Sequence, residues 1–570
     1  VKARRLPILL VVVAFLVGAV ALDARDIDEP MATVVPFDRF GPTVPEANEP
    51  SSTWYCAAGS ATATPDGAAE QLLVLTNDAT EARSATVSAF GDDGQQGSTE
   101  LELPPSSRTQ FAVSSIVQAS WAAALVEASG GGVGVEHVLS GPAGRAAGPC
   151  ASSVSPTWYL PVGSTELGVQ HLLTLFNPFP DAAVVDLLFE TDTDTRQPPE
   201  LQGMVVPART VRVVDVSNVV TVRRQLATVV QARSGLVVAE QLEIVGDDSE
   251  LPQGLTLLMG APTSAPQWYF ADGRPLIDGV DVSFVLFNPG AEAVDAEVQL
   301  LVDDPNVNGF VEPYALSVRP GQFSVVDLRQ DNRLPVELGW SAVVQTGSPD
   351  QELVVARLVR SSVDDGSGGR TMSIGSPLAA TRWVVGLGGV SGGDAATVAV
   401  VNSEAGREAR VSVVAVSGGE QQPVDGLREV VLPAGGRVVL DLGASVDPAT
   451  TSLLVTATGP IVVERTVRFI DDRGWATYPG LLGGGTTSQP QLFVLAVPAI
   501  TGEVPLPPGG SDTVPPEPPS EPTNDTGVPA ETDAADETND NDEAGGSPDA
   551  NDGEGADNPT TTTDTTVTTG

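Results

Sequence analysis

Several residue types are scarce in this 570-residue chain, and each shortage removes a class of function. Lys2 is its sole lysine, and 29 Lys+Arg stand against 74 Asp+Glu, a formal net charge of -45. Such a polyanion repels nucleic acid and anionic lipid, so no nucleic-acid partner is expected. Only two histidines, His137 and His171, could serve as the base that nucleophilic catalysis needs, and they fall on expected strands of different repeat units. Cys56 and Cys150 are the only cysteines. Two lone thiols make a poor metal site, whereas in an exported chain a single pair is expected to form a disulfide, worth roughly 4 to 5 kcal/mol to the first domain by loop closure. Aromatics are 5% of residues and charged residues 18%. What is abundant, Val, Ala, Gly, Thr and Pro, favours short strands and turns over long helices.

Leu6 to Leu22 is one unbroken apolar run, preceded by Lys2, Arg4 and Arg5 and followed by Asp23, Asp26, Asp28 and Glu29. Residues 1–25 are therefore expected to form a hydrophobic helix, a signal peptide or signal anchor, with its start cytoplasmic and the rest exported. The run exceeds a usual signal-peptide core and only just spans a bilayer, while Ala19 to Ala21 offers a peptidase site. An uncleaved anchor in the cell membrane is preferred over secretion. Residues 26–50 read as a tether, and 503–570, Pro-rich and then rich in Asp, Asn, Gly and Thr, as a disordered acidic tail.

Between them the sequence repeats. Trp54-Tyr55, Trp158-Tyr159, Trp268-Tyr269 and Trp383 each open a unit of roughly 100 to 115 residues, as expected of a repeat architecture. An apolar strand ending in Asn follows (Asn77, Asn177, Asn288, Asn402), with an Asn-initiated turn and a partner strand. Next come a Pro-led strand and a segment read as a hairpin, exemplified by "ATVVQARSGLVVAEQLEI". Seven or eight short strands per unit give the expected fold class: all-β, four tandem antiparallel β-sandwich (Ig-like) repeats at 51–152, 153–264, 265–378 and 379–488, with a closing strand at 489–502. One ring of each aromatic pair is expected in its own core, its neighbour facing out or toward the preceding unit. Independent beads, a closed ring and shared strands are alternative arrangements of the units.

The strings "WYLPVGST", "LLTLFNP", "VP" and "VVAEQ" resemble a module of actinobacterial and other bacterial exported proteins, a domain-of-unknown-function family of the cell envelope. In that family WYxxxGST, NP, VP and VAER-type motifs recur about every hundred residues. The resemblance covers roughly Ser51 to Pro498. It implies β-repeats and an extracytoplasmic location, and carries no activity across.

No constellation reads as catalytic. Glu136, Glu240 and Glu464 recur at one repeat position, with Ala356 in unit three, and His137 shares its position with Gln241, Arg357 and Arg465. Recurrence argues for structure, because an active site is normally unique. The doublets Asp92-Asp93, Asp247-Asp248, Asp303-Asp304, Asp364-Asp365 and Asp471-Asp472 could hold calcium, but none makes the Asp-x-Asp-x-Asp-Gly loop, so no cofactor is expected. The glycines between Gly386 and Gly393 lack the lysine of a phosphate loop. The expectation is a non-enzymatic envelope protein with a structural or interaction role, anchored in the membrane and facing a wall polymer or surface protein. The alternative is a carbohydrate- or wall-binding adhesin, ahead of a hydrolase.

Overall fold

The computed structural model describes residues 40–488 except 63–67, 278, 304–310, 331–332, 363–367, 392, 443–445, 470–473 and 484–486. The expected N-terminal helix, the closing strand at 489–502 and the acidic tail lie outside the described residues. Within them the chain is all-β, in several small antiparallel sheets and one larger sheet that takes in the fourth unit and the first strand.

Strand β1 (Thr43–Val44) precedes the first unit, which comprises β2 (Ser51–Cys56), β3 (Glu70–Asn77), β4 (Arg83–Gly91), β5 (Gln96–Leu103), β6 (Ser107–Ala112), β7 (Ala122–Ser129), β8 (Val133–Gly141) and β9 (Gly144–Pro149). Two sheets result, in the orders β2-β7-β4-β5 and β6-β3-β8-β9. They share one core, where Trp54, Cys56, Val87 and Val126 of the first meet Leu73, Leu75 and Val135 of the second. Period-two burial produces this: in β2, Ser52, Trp54 and Cys56 are buried while their neighbours are exposed or half-buried.

The second unit repeats the plan with β10 (Thr157–Leu160), β11 (Val169–Asn177), β12 (Ala183–Thr191), β13 (Thr195–Arg196), β14 (Met204–Val206), β15 (Thr210–Asp215), β16 (Leu226–Ser234), β17 (Val238–Val245) and β18 (Gly254–Met259). The third has β19 (Gln267–Gly273), β20 (Val280–Phe287), β21 (Val294–Val302), β22 (Tyr314–Val318), β23 (Phe323–Asp327), β24 (Trp340–Thr346), β25 (Val354–Ser361) and β26 (Gly369–Ile374). Their second sheets run β15-β11-β17-β18 and β23-β20-β25-β26.

The fourth comprises β27 (Ala379–Gly386), β28 (Ala395–Asn402), β29 (Ala409–Ser417), β30 (Glu420–Pro423), β31 (Val430–Leu432), β32 (Arg437–Leu440), β33 (Ser452–Arg468), β34 (Trp475–Pro479), β35 (Leu481–Gly483) and β36 (Thr487–Ser488). Here the 17-residue β33 serves both sheets, pairing β27 and β29 with its first half and β28 and β34 with its second.

Two expected pairings are corrected. The segment read as a hairpin, β7 to β8 and its equivalents, passes from one sheet to the other, and so does the Asn turn between β3 and β4. Alternation reports which face a residue takes, and leaves the partner strand undetermined. In units one and two the crossing is bent by glycines at positive φ, Gly130, Gly132 and Gly235; Gly459 in unit four is not among them, and β33 runs through unbroken. Residues 40–50, read as tether, include β1, which pairs in parallel with β35 and so binds the start of the described chain to unit four.

The units close into a ring. The last strand of each second sheet packs beside its counterpart in the next: β9 with β18, β18 with β26, β26 with β34, and β34 with β9. The described residues accordingly belong to one compact unit rather than to separate beads.

Candidate functional site: the joints of the ring and a groove beside one of them

Each predicted repeat residue has a definite task. The indole N–H of Trp54, Trp158, Trp268 and Trp383 donates to the carbonyl of Val133, Val237, Leu353 and Ile461 at 2.8, 2.8, 2.9 and 2.9 Å, and all four rings are buried. The residue after each Trp reaches into the following unit, not the preceding one. Tyr55 packs on the core of unit two, Tyr159 on that of unit three, Tyr269 on that of unit four, and Val384 on that of unit one. In a strand successive side chains leave opposite faces, so one dipeptide serves two cores.

The four asparagines close Asx turns: Oδ1 accepts from the N–H two residues on, at 3.0, 3.0, 2.9 and 3.0 Å. Their Nδ2 groups also donate to carbonyls at the start of the Pro-led segment, Pro104, Pro207, Val318 and Pro433. Cys56 and Cys150 form the expected disulfide. A His137 ring nitrogen lies within 4.8 Å of both sulfurs, but with the thiols joined to each other the cluster offers no thiolate to a metal.

At the joints the recurrent Glu of one unit meets the variable residue of the unit before it. Arg357 donates to Glu464 at 2.5 Å between units three and four, and Arg465 donates to Glu136 between four and one. His137 faces Glu240 at 3.6 Å between one and two. Unit three has Ala356 at the Glu position, and Gln241 turns instead to the Val162 carbonyl at 2.9 Å. A second pair, Arg370 with Glu243 at 2.9 Å, holds that joint, with His171 on the same carboxylate at 3.1 Å. The backbone N–H four residues past each of two opening tryptophans completes the pattern: Ala58 donates to Glu240 at 2.6 Å and Asp272 to Glu464 at 2.7 Å. Arg145–Asp394 at 3.0 Å and Arg382–Asp78 add to the closing joint.

These groups are out of water. Burial pushes the Glu240 carboxyl up to about 8, against the Ala58 and Ala57 N–H groups, and pushes His137 down to about 3. The pair is thus neutral acid and neutral imidazole at pH 7, too far apart at 3.6 Å for a hydrogen bond. Burial also raises Glu136 and Glu464, opposed by the Arg465 and Arg357 guanidinium groups that donate to them. Glu243 differs: burial pushes it up, yet Arg370, His171 and the Ser164 N–H together bring it below the ordinary range.

Two cavities adjoin the joints. An apolar one of about 60 Å³ lies where the unit ends converge, lined by Pro149, Pro262, Pro377 and Pro479 and by Phe40 of the leading segment. The other is a groove of about 600 Å³ on the outer face of β2-β7-β4-β5, walled by Pro178, Phe179 and Arg209 of unit two. Sequence reasoning missed the groove, although the residues at its two turn positions break the repeat pattern. It also missed the direction of the joints, which position-by-position comparison of Glu136/His137 with its counterparts could have suggested.

The comparisons with known proteins bear on part of the chain. A family model described as a family of unknown function, DUF5719, matches residues 141–335, from the end of β8 through unit two into unit three. No curated protein matches the sequence. Among solved structures, "Crystal Structure of Thermotoga maritima 1070" matches at 17% identity over 20% of this chain and 94% of that one, with a TM-score of 0.16. A Streptomyces avermitilis alpha-L-rhamnosidase complexed with L-rhamnose matches at 11% identity over 61% of this chain and 46% of the other, with a TM-score of 0.11. At these scores neither likeness carries an argument.

Proposed function

We propose that the chain is a non-catalytic cell-envelope protein, a rigid ring of four Ig-like β-sandwiches held outside the membrane by its N-terminal hydrophobic segment, with the acidic tail as a solvated spacer. The observation that carries this reading is the closure of the ring. Residues that could have done chemistry, both histidines and the recurrent glutamates, are buried in its joints. A closed ring of interlocked units holds its outer faces and turns in fixed relation, which suits a scaffold presenting surfaces to a wall polymer or a surface protein. The resemblance to actinobacterial envelope repeats supports the compartment, as does the cysteine pair joined as a disulfide.

Fractionation of source cells with protease treatment of intact cells tests the placement: the chain is expected in the membrane fraction and cleaved from outside. Recovery in the cytosol, protected from protease, would overturn it. A carbohydrate-binding role is favoured by one specific feature, the groove between units one and two.

A further inference from the structure

The Asn turn recurs in all four units, so a unit whose turn residues depart from the others marks something the ring itself does not need. Two turn positions show such a departure. The residue two after each recurrent Asn is Ala79, Phe179, Gly290 and Glu404 in the four units. The left-handed residue of the Pro-led turn is Ser106, Arg209, Gly321 and Gly435, at φ 44, 51, 66 and 61°.

Only unit two combines an aromatic with a cation, and the two are adjacent because the Arg209 N–H donates to the Phe179 carbonyl at 3.1 Å. Units three and four use glycine where left-handed backbone is required, as its freedom from a Cβ dictates. Unit two carries an arginine there at a conformational cost of order 1 kcal/mol or more. Phe179 is 36% exposed, a large apolar ring left at the surface.

Both side chains wall the 600 Å³ groove, within the size range of small-ligand sites. Its floor is one face of a sheet: Tyr55, Leu125, Ser88 and Ser98 lie in register across four strands, with Glu127 opposite Thr53 and Gln96 opposite Phe90. Gln96 also reaches the Arg209 carbonyl at 3.4 Å, tying floor to wall.

We propose that this groove binds a neutral oligosaccharide. Its lining offers apolar ring faces, Tyr55 and Phe179, for the C–H faces of sugar rings, and hydroxyl, amide, carboxylate and guanidinium groups for their hydroxyls. Glu127 and Arg209 balance in charge, and the net charge of -45 disfavours polyanionic glycans and nucleic acids. A peptide strand would need a free sheet edge, and the floor is the face of a sheet.

The test is calorimetric titration of the full chain with cellohexaose, maltohexaose, xylohexaose and chitohexaose. Expected is saturable binding of at least one of them at one site per chain. Phe179→Gly and Arg209→Gly, which install the residues of unit three, are each expected to weaken it at least tenfold, with the melting temperature unchanged or, for Arg209→Gly, raised. No binding of any of the four, more than one site per chain, or affinity within twofold of wild type in the Phe179→Gly/Arg209→Gly variant would overturn the assignment. The proposal goes beyond the ring reading: an opened ring shows in the melting curve, an empty groove only in the titration.

Discussion

Removing one carboxylate from a joint should reveal whether the ring melts as one body. Glu464 is 1% exposed; Oε1 accepts from Arg357 Nη2 at 2.5 Å and Oε2 from the Asp272 N–H at 2.7 Å. Glu464→Ala leaves Arg357, also 1% exposed, with the Asp272 carbonyl at 2.8 Å, the Ser373 hydroxyl at 3.2 Å and the face of Phe270 but no carboxylate bonded to it. Breaking a buried pair in this way costs about 3 to 5 kcal/mol. With an unfolding entropy of about 2.1 cal/mol/K per residue, a cooperative body of about 450 residues loses roughly 1 °C per kcal/mol, so the whole transition should move down by about 3 to 5 °C. Were the units independent, a single unit of about 110 residues would shift by about 13 to 22 °C and leave the rest of the heat in place. Differential scanning calorimetry separates the two by the shape of the endotherm. Replacing both partners, Arg357→Met with Glu464→Leu, removes the stranded charge and should recover most of the loss. A split endotherm, an unmoved one, or a double variant worse than the single would refute the reasoning.

The neutral pair at the first joint sets a pH profile. Glu240, raised from 4.5 to about 8, contributes stability that is full below about 4.5 and lost as pH climbs through 8; His137, lowered from 6.5 to about 3, contributes stability present above 6.5 and lost as pH falls to 3. The two slopes cancel between pH 4.5 and 6.5, leaving a plateau and an alkaline loss of about 2 kcal/mol between 6.5 and 8. Urea midpoints at pH 6 and 8.5 should show that loss, and Glu240→Gln should abolish it. Cys56→Ser with Cys150→Ser opens a link of sequence separation 94 and should cost about 4 kcal/mol, read as the difference in urea unfolding from the oxidised wild type. Asn177→Ala removes the Asx turn and the Nδ2 bonds to Asp181, Val206 and Pro207, and should cost about 2 to 3 kcal/mol by the same assay.

The all-β class, the disulfide and the Asx turns were legible because each is local or depends on a single pair. Tyr55 shows where legibility stops. Alternation says that it faces away from Trp54, but which body fills that side is a question of tertiary arrangement. The crossing between β7 and β8 was invisible for the same reason: two alternating runs and a glycine turn are common to a hairpin and to a sheet-to-sheet passage. Recurrence of Glu136, Glu240 and Glu464 marked them as structural, yet their partners lie one unit away. The groove was hidden because its floor and wall come from different units, and Phe179 and Arg209 read singly as ordinary turn residues.

The β1–β35 pairing and the reach of Val384 and Leu481 into the core of unit one set an order of events in time. The first unit made cannot complete its interior until more than 300 further residues have been synthesised, because Val384 and Leu481, which join its core, belong to the last. Until then Glu136 lacks its partner Arg465. Contacts so distant in sequence form slowly, and the incomplete units expose adhesive surfaces while they wait. A chain built this way is suited to being held unfolded until it is complete and then closing in a single late step.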